Sequence, residues 1–146
     1  MIAYKFRLYP NKEQRERLEF SLEICRQTYN FLLEGLQNQV KIDRKQIQHS
    51  LVEFKESYPA FQEVYSKTLQ YECYRLFSNL SALSSLKKRG KKVGRLRFKG
   101  QGWFKTMNYN QSGFSLEGKH LNLSKIGNIK IKLHREVKGV IKQIQI

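Results

Sequence analysis

The sequence predicts an α+β fold, a small β-barrel interrupted after its first strand by a three-helix insertion. Three observations predict it. Residues 2–9 alternate apolar and polar, residues 11–88 carry apolar side chains at steps of three and four, and after Gly90 the period returns to two.

The elements follow in chain order. In "IAYKFRLY", Ile2, Tyr4, Phe6 and Leu8 face one way and Ala3, Lys5, Arg7 and Tyr9 the other, a half-buried strand with a basic outer face that Pro10 ends. Asn11 and Gln14 form a capping-box pattern with Glu13 in the first turn. Leu18, Leu22, Cys25, Tyr29, Leu32 and Leu36 then give an amphipathic helix of about seven turns. A second helix covers roughly 43–56, with Ile47, Leu51 and Phe54 inward, and Tyr58-Pro59 stops it. The third starts near Ser66, carries the stripe Leu69, Cys73, Leu76, Phe77, Leu80 and Leu83, and ends at "KKRG". Beyond it "RLRFKG", "MNYNQ", "GFSLEGKHLNLS", "NIKIKLH" and "GVIKQIQI" read as strands, with turn signals at Glu117-Gly118 and Gly127-Asn128. A lone first strand is not stable by itself, so it belongs in the sheet built by residues 93–146. The expected division is 1–10 with 93–146 as the barrel and 11–92 as the helical part with its basic exit loop.

Charge is divided along the same line. Residues 1–86 hold 12 basic and 10 acidic groups; residues 87–146 hold 16 basic and 2 acidic. A balance of +14 on the last 60 residues favours a polyanion, whose condensed counterions are released on binding. An anionic membrane is the poorer partner, because the basic half lacks an amphipathic helix with a wide apolar face, and no run long enough for a membrane span exists. The amino terminus has charges where a secretory signal needs an apolar stretch, and Cys25 and Cys73 sit at apolar helical positions, so reduced thiols of a cytoplasmic protein are expected. No metal-ligand spacing such as CxxC or HExxH appears, and neither a metal nor another cofactor is expected. His49, His120 and His134 have no Ser or Cys partner at a recognisable spacing, and the acids, mainly on the helices, suit ion pairs on a solvated face. No catalysis is expected of the chain.

The stretch "KKRGKKVGRLRFKGQGWFK", residues 87–105, concentrates the question. Val93, Leu96, Phe98, Trp103 and Phe104 punctuate its charges, so it is a loop entering a sheet and not a disordered tail. Read as a grip on phosphates it offers Lys87, Lys88, Arg89, Lys91, Lys92, Arg95, Arg97, Lys99 and Lys105, with glycines at 90, 94, 100 and 102; read blandly it is a solvated hinge. Lys5, Arg7, Lys130, Lys132, His134 and Arg135 join the backbone-binding set from the polar faces of strands and their ends. Tyr4, Tyr9, Trp103, Phe104 and Tyr109 interleave with basic residues as base-stacking surfaces do, Trp103 and Tyr109 being the candidates. Phe6 and Phe98 read as core.

With these segments in place the whole chain resembles the amino-terminal part of TnpB, the transposon-encoded RNA-guided DNA nuclease also called OrfB. The resemblance rests on "YKFRLYPNKEQ", "CRQTYNFLL", "SKTLQ", "GKKVGRLRFKG" and "GKHLNLSKIGNIKIKLHREVKGVIKQIQI", in order along essentially the full length. It implies a wedge-like, OB-like barrel interrupted by a helical recognition domain. It also implies two binding tasks, holding a structured guide RNA and reading a short motif in double-stranded DNA beside the target. By position the motif readers fall on Ser66, Gln70 and Asn108. Ser66 and Gln70, four apart, share one helix face, and glutamine can pair bidentately with adenine. The plain alternatives are a helix cap for Ser66, a solvated residue for Gln70 and a turn residue for Asn108. Where the family usually has proline before Arg-Phe-Lys, Leu96 stands here. The family's metal-binding nuclease carboxylates and zinc element lie beyond residue 146, so the resemblance implies a non-catalytic binding fragment. The alternative is a structural or regulatory module that pairs with a separate nuclease chain or sequesters guide RNA. A helix-turn-helix repressor is disfavoured, because neither long helix is a tight basic recognition helix.

Overall fold

The computed structural model describes residues 3–146; Ile2, assigned above to the inner side of the first strand, lies outside them. The element order is β1 (Arg7–Tyr9), α1 (Lys12–Gln37), α2 (Arg44–Ser57), α3 (Ser66–Lys88), β2 (Asn108–Asn110), β3 (Phe114–Glu117), β4 (His120–Leu123), β5 (Gly127–Lys132) and β6 (Gln143–Gln145). The fold is α+β, with three helices following the first strand.

Each helix begins and ends for a local reason. Asn11 caps α1 through a 2.8 Å bond from the Gln14 N–H, and Gln14 returns the bond to the Asn11 N–H at 3.0 Å. Asp43 caps α2 by accepting from the Gln46 N–H at 3.2 Å. Tyr58, restricted by the proline after it, ends α2, and Pro59 opens a 3-10 turn running to Glu63. Tyr65 stands at the N-cap of α3 without a side-chain bond, and Ser66 is the first helical residue; the cap reading of Ser66 is thereby corrected. Lys87 and Lys88 occupy the last turn of α3, where the helix dipole favours cations, and Gly90 follows with a φ of 80°.

The helical core is the one the spacing indicates, with additions. Cys25, Tyr29, Leu32, Leu36, Ile47, Leu51, Leu69, Cys73 and Leu76 are buried, joined by Ile24 and Leu33. Leu18, Leu22, Phe54, Phe77 and Leu80 are partly buried against them. Phe54 stacks on Phe31 with ring centroids 3.8 Å apart. Both cysteines are buried free thiols, and burial pushes both above the ordinary thiol range.

The strands form two antiparallel sheets and not one closed barrel. Four strands pair in the order β1-β5-β4-β3, and β2 pairs separately with β6. The first strand therefore does join strands from the far end of the chain, Leu8 opposite Ile131. "RLRFKG" forms no strand: residues 91–100 have no regular structure, because consecutive charges and glycines supply no alternating apolar face to bury. Without that strand nothing joins the two sheets edge to edge. "NIKIKLH" is a strand only to Lys132, and in "GVIKQIQI" only Gln143–Gln145 pair, extended by two 2.9 Å bonds between Met107 and Ile146. The β4–β5 turn falls on Ser124–Ile126, with Lys125 in the left-handed region (φ 70°), a few residues before the position the Gly-Asn signal marks.

The helices are fixed to the sheet at α1. Arg17 donates to the Ile126 carbonyl at 3.2 Å, and Gln14 donates to the carbonyl of Asn128. One core of helix and sheet residues results, in which Leu121, Leu123, Ile126, Ile129 and Ile131 come from β4, β5 and their turn.

Candidate nucleic-acid interface

The four-stranded sheet is amphipathic across its whole width. Leu8, Ile129, Ile131, Leu121 and Leu123 turn inward, while Arg7, Tyr9, Lys130, Lys132, His120, Asn122 and Asn128 are exposed. Register sets the charges side by side: Arg7 lies opposite Lys132, and Lys130 lies between Tyr9 on β1 and His120 on β4. Like charges directly opposite each other cost stability, and a bound anion removes the cost. At the edge of this surface Arg135 lies over the Tyr4 ring at 5.0 Å, and Phe6 stacks on Tyr4 and meets His134 edge-on at 5.1 Å. Lys5 is exposed just before β1. The sequence-predicted set Lys5, Arg7, Lys130, Lys132, His134 and Arg135 is thus gathered around one sheet and its ends.

The basic segment is exposed at Lys87, Lys88, Arg89, Lys91, Lys92, Arg95, Arg97 and Lys105. It is anchored part-way along. Asn30 of α1 accepts from the Lys99 N–H at 2.8 Å and donates to the Lys99 carbonyl at 2.9 Å, and Arg26 donates to the same carbonyl at 2.9 Å. Arg26 is held by Glu23, whose carboxyl its hydrogen bonds keep below the usual range. The Lys99 ammonium lies 5.1 Å from the Trp103 ring centroid and 5.9 Å from that of Tyr29. The segment is therefore tied to the helices at Lys99, which a free hinge is not.

The aromatic expectations divide. Trp103 is 65% exposed. Tyr109 is 0% exposed, its hydroxyl donating to the Ser124 carbonyl at 3.0 Å, so its base-stacking assignment is corrected. Phe104 is also buried, edge-on to Tyr29 at 5.7 Å and covered by Arg75 at 4.4 Å. Phe98, expected in the core, is 53% exposed. Neighbouring charges keep its segment out of the sheet, so there is no inner face for it to join.

Ser66 and Gln70 lie in the first turns of α3, whereas Asn108 meets the helix on its other side, through Thr68. Thr68, two residues after Ser66, is buried and donates to the Asn108 carbonyl at 2.7 Å. Tyr65 donates to the Asn110 side chain at 2.5 Å and stacks on Tyr109 with centroids 5.3 Å apart. Gly113 lies under these rings: a Cβ there would stand 2.2 Å from Tyr65 Cε2 and 2.8 Å from Tyr109 Cδ1. Ser66 is exposed, and Gln70 is half-buried in a cleft with Lys45, His49 and Lys55. Burial and the nearby Lys67 lower the Lys55 ammonium below its ordinary value, so a second basic site borders the same helix start. Lys55, Lys67, Thr68 and Tyr65 escape sequence reading, because only the packing of α2 and β2 on α3 brings them to this point.

Further along α3, Glu72 is 1% exposed, and its Oε2 accepts no hydrogen bond. Arg75 Nε stands 3.6 Å away, too far for a hydrogen bond, while Arg75 donates instead to the Thr106 carbonyl at 3.1 Å. The Cys25 thiol is the other neighbour. Burial outweighs both and pushes the carboxyl up to about 8. Among the described residues no group of three His, Cys, Asp or Glu side chains comes together as a metal site, and no helix is long and apolar enough to cross a membrane.

Fold and surface define a basic α+β protein with one charged sheet face. Residues 1–45 match the family model described as a helix-turn-helix domain, that of OrfB proteins of IS605 elements. Over these 45 residues the chain carries an amino-terminal part of a TnpB/OrfB-type protein. The matched stretch spans β1, α1 and the first residues of α2. Glu13–Arg17, Arg15–Glu19 and Glu23–Arg26 ion pairs run along α1, so its charge is mixed and not that of a uniformly basic recognition helix. A search of curated proteins returned no match.

Proposed function

We propose that this chain is a nucleic-acid-binding fragment of a TnpB-like transposon protein, non-catalytic by itself. The observation that carries the reading is the exposed sheet face on which Arg7 stands opposite Lys132 with Lys130 beside them, an arrangement that a phosphate backbone relieves. In this reading residues 1–10 and 93–146 form a wedge-like, half-open relative of an OB barrel that holds guide RNA, with the loop from Lys87 to Lys105 as its grip. Residues 11–92 form the helical recognition unit. Ser66, Gln70 and Asn108 read duplex DNA beside the target, and the Thr68–Asn108 bond fixes β2, which carries Asn108, against α3. Lys55 and Lys67 supply the neighbouring phosphate contacts. Such a protein works in the cytoplasm.

The test is to purify the chain in moderate salt without nuclease, record its absorbance ratio and sequence the RNA that accompanies it. A defined RNA from the end of the transposon is the expected result; mixed RNA lost at high salt, or none, refutes guide binding. A second reading, pairing with a separate nuclease chain, draws on an apolar groove of about 280 Å³ between Leu33, Leu36, Leu80, Leu83, Val93 and Leu96. It is favoured if the RNA-free protein elutes with such a chain when the two are expressed together.

A further inference from the structure

We infer that Phe98 and Trp103 form a stacking platform for unpaired nucleotides of a bound RNA, with the tethered Lys99 between them in sequence. Three independent observations meet here. Both rings are exposed, 53% and 65%, whereas Phe104, the third aromatic side chain of the same segment, is buried. The backbone between them is held by three hydrogen bonds at Lys99, whose N–H donates to Asn30 and whose carbonyl accepts from Asn30 and Arg26. A tight turn, closed by the Trp103 N–H on the Gly100 carbonyl at 3.1 Å, brings Trp103 back onto the Lys99 ammonium. Gly102 in that turn has a φ of 77°, which favours glycine.

The chemistry of the occupant follows. A side-chain ring stacks on a base face, and within a duplex those faces are covered by neighbouring base pairs, so the ligand that fits is single-stranded. Arg97 and Lys105 stand exposed beside the rings, and Lys99 bears on Trp103, so the strand carries phosphates. Lys99 serves as a brace: it orients the indole while its own backbone is fixed to α1. The identity of the strand as RNA rests on the reading given under Proposed function; the platform itself does not.

Trp103 is the only tryptophan of the chain, so its fluorescence reports directly on the site. Short oligouridine is titrated into the purified protein, and the same RNA annealed to oligoadenosine serves as the paired control. The unpaired strand quenches Trp103 and the duplex does not. Phe98→Ala and Phe98→Leu each weaken oligouridine binding on the order of tenfold, since leucine restores apolar area and not a stacking face. Both variants leave the melting temperature unchanged. Trp103→Ala, followed by anisotropy of labelled oligouridine, loses about as much. Equal quenching by the duplex, or unchanged affinity in Phe98→Ala, overturns the platform. Oligothymidine binding as tightly as oligouridine overturns the assignment to RNA. Quenching by oligouridine in a protein that carries no cellular RNA supports the platform and removes only the guide-RNA reading.

Discussion

Glu72 offers a measurement whose sign and size both follow from the structure. Its carboxyl is buried against Cys25, with Arg75 too distant to compensate, and takes up its proton at about 8 where an ordinary glutamate does so at 4.5. Between those values the folded chain holds one proton that the unfolded chain has released. Stability therefore falls as pH rises from 4.5 to about 8, by at most about 1.4 kcal/mol per pH unit. Below 4.5 both states are protonated and no penalty exists; above about 8 the whole penalty is present, at most about 5 kcal/mol. Relaxation around the charge reduces this, and at least about 2 kcal/mol is expected to remain. Glu72→Gln keeps the shape and removes the ionisation. Thermal melts of both proteins at pH 5.0, 6.5 and 8.5 and constant ionic strength isolate the effect, because every other titrating group cancels in the difference. The stability gap between variant and parent should be smallest at pH 5.0 and should widen by about 6 °C or more by pH 8.5. Parallel curves would refute the reasoning and show that Glu72 ionises normally within the fold.

Three further outcomes are expected. Lys91→Ala with Lys92→Ala removes two phosphate contacts, lowers affinity for nucleic acid and reduces the log–log salt slope by about 1.5; an unchanged slope leaves those lysines as solvated charges. Thr68→Val leaves the Asn108 carbonyl without its partner, costs about 1–3 kcal/mol in a denaturant titration, and lowers discrimination between duplexes more than affinity for mixed-sequence DNA; Thr68→Ser restores both. Gly113→Ala forces Tyr65 and Tyr109 apart and destabilises the protein by about 1–3 kcal/mol, read as a lower melting temperature.

Much of the helical part was legible because its signals are local. The Asn11–Gln14 box and the Tyr58-Pro59 stop act within a few residues, and the apolar stripes of α1 and α3 survive as buried faces. The alternation around β1 was equally plain, with Lys5, Arg7 and Tyr9 outward as read. Residues 95–100 misled, because "RLRFKG" alternates like a strand while offering too little apolar surface to be held as one. That same misreading hid Phe98, whose exposure depends on the segment remaining outside the sheet. Tyr109 misled in the opposite direction: flanking asparagines suggested a wet position, yet Tyr65 stacks over the ring. Thr68 and Lys55 carry no signal in the chain, since their roles exist only once α2 and β2 lie against α3.

The tie between Asn30, Arg26 and Lys99 also has a mechanical meaning. Three hydrogen bonds act in parallel on a single residue, and they end on α1, the helix whose Tyr29, Leu32 and Leu33 are among the most deeply buried side chains. Tension on a strand seated at Phe98 and Trp103, as inferred above, would be delivered sideways into the buried helical core. It would not have to travel along the irregular residues toward Gly90 and the end of α3. A nucleic acid pulled there drags against a post and not against a tether.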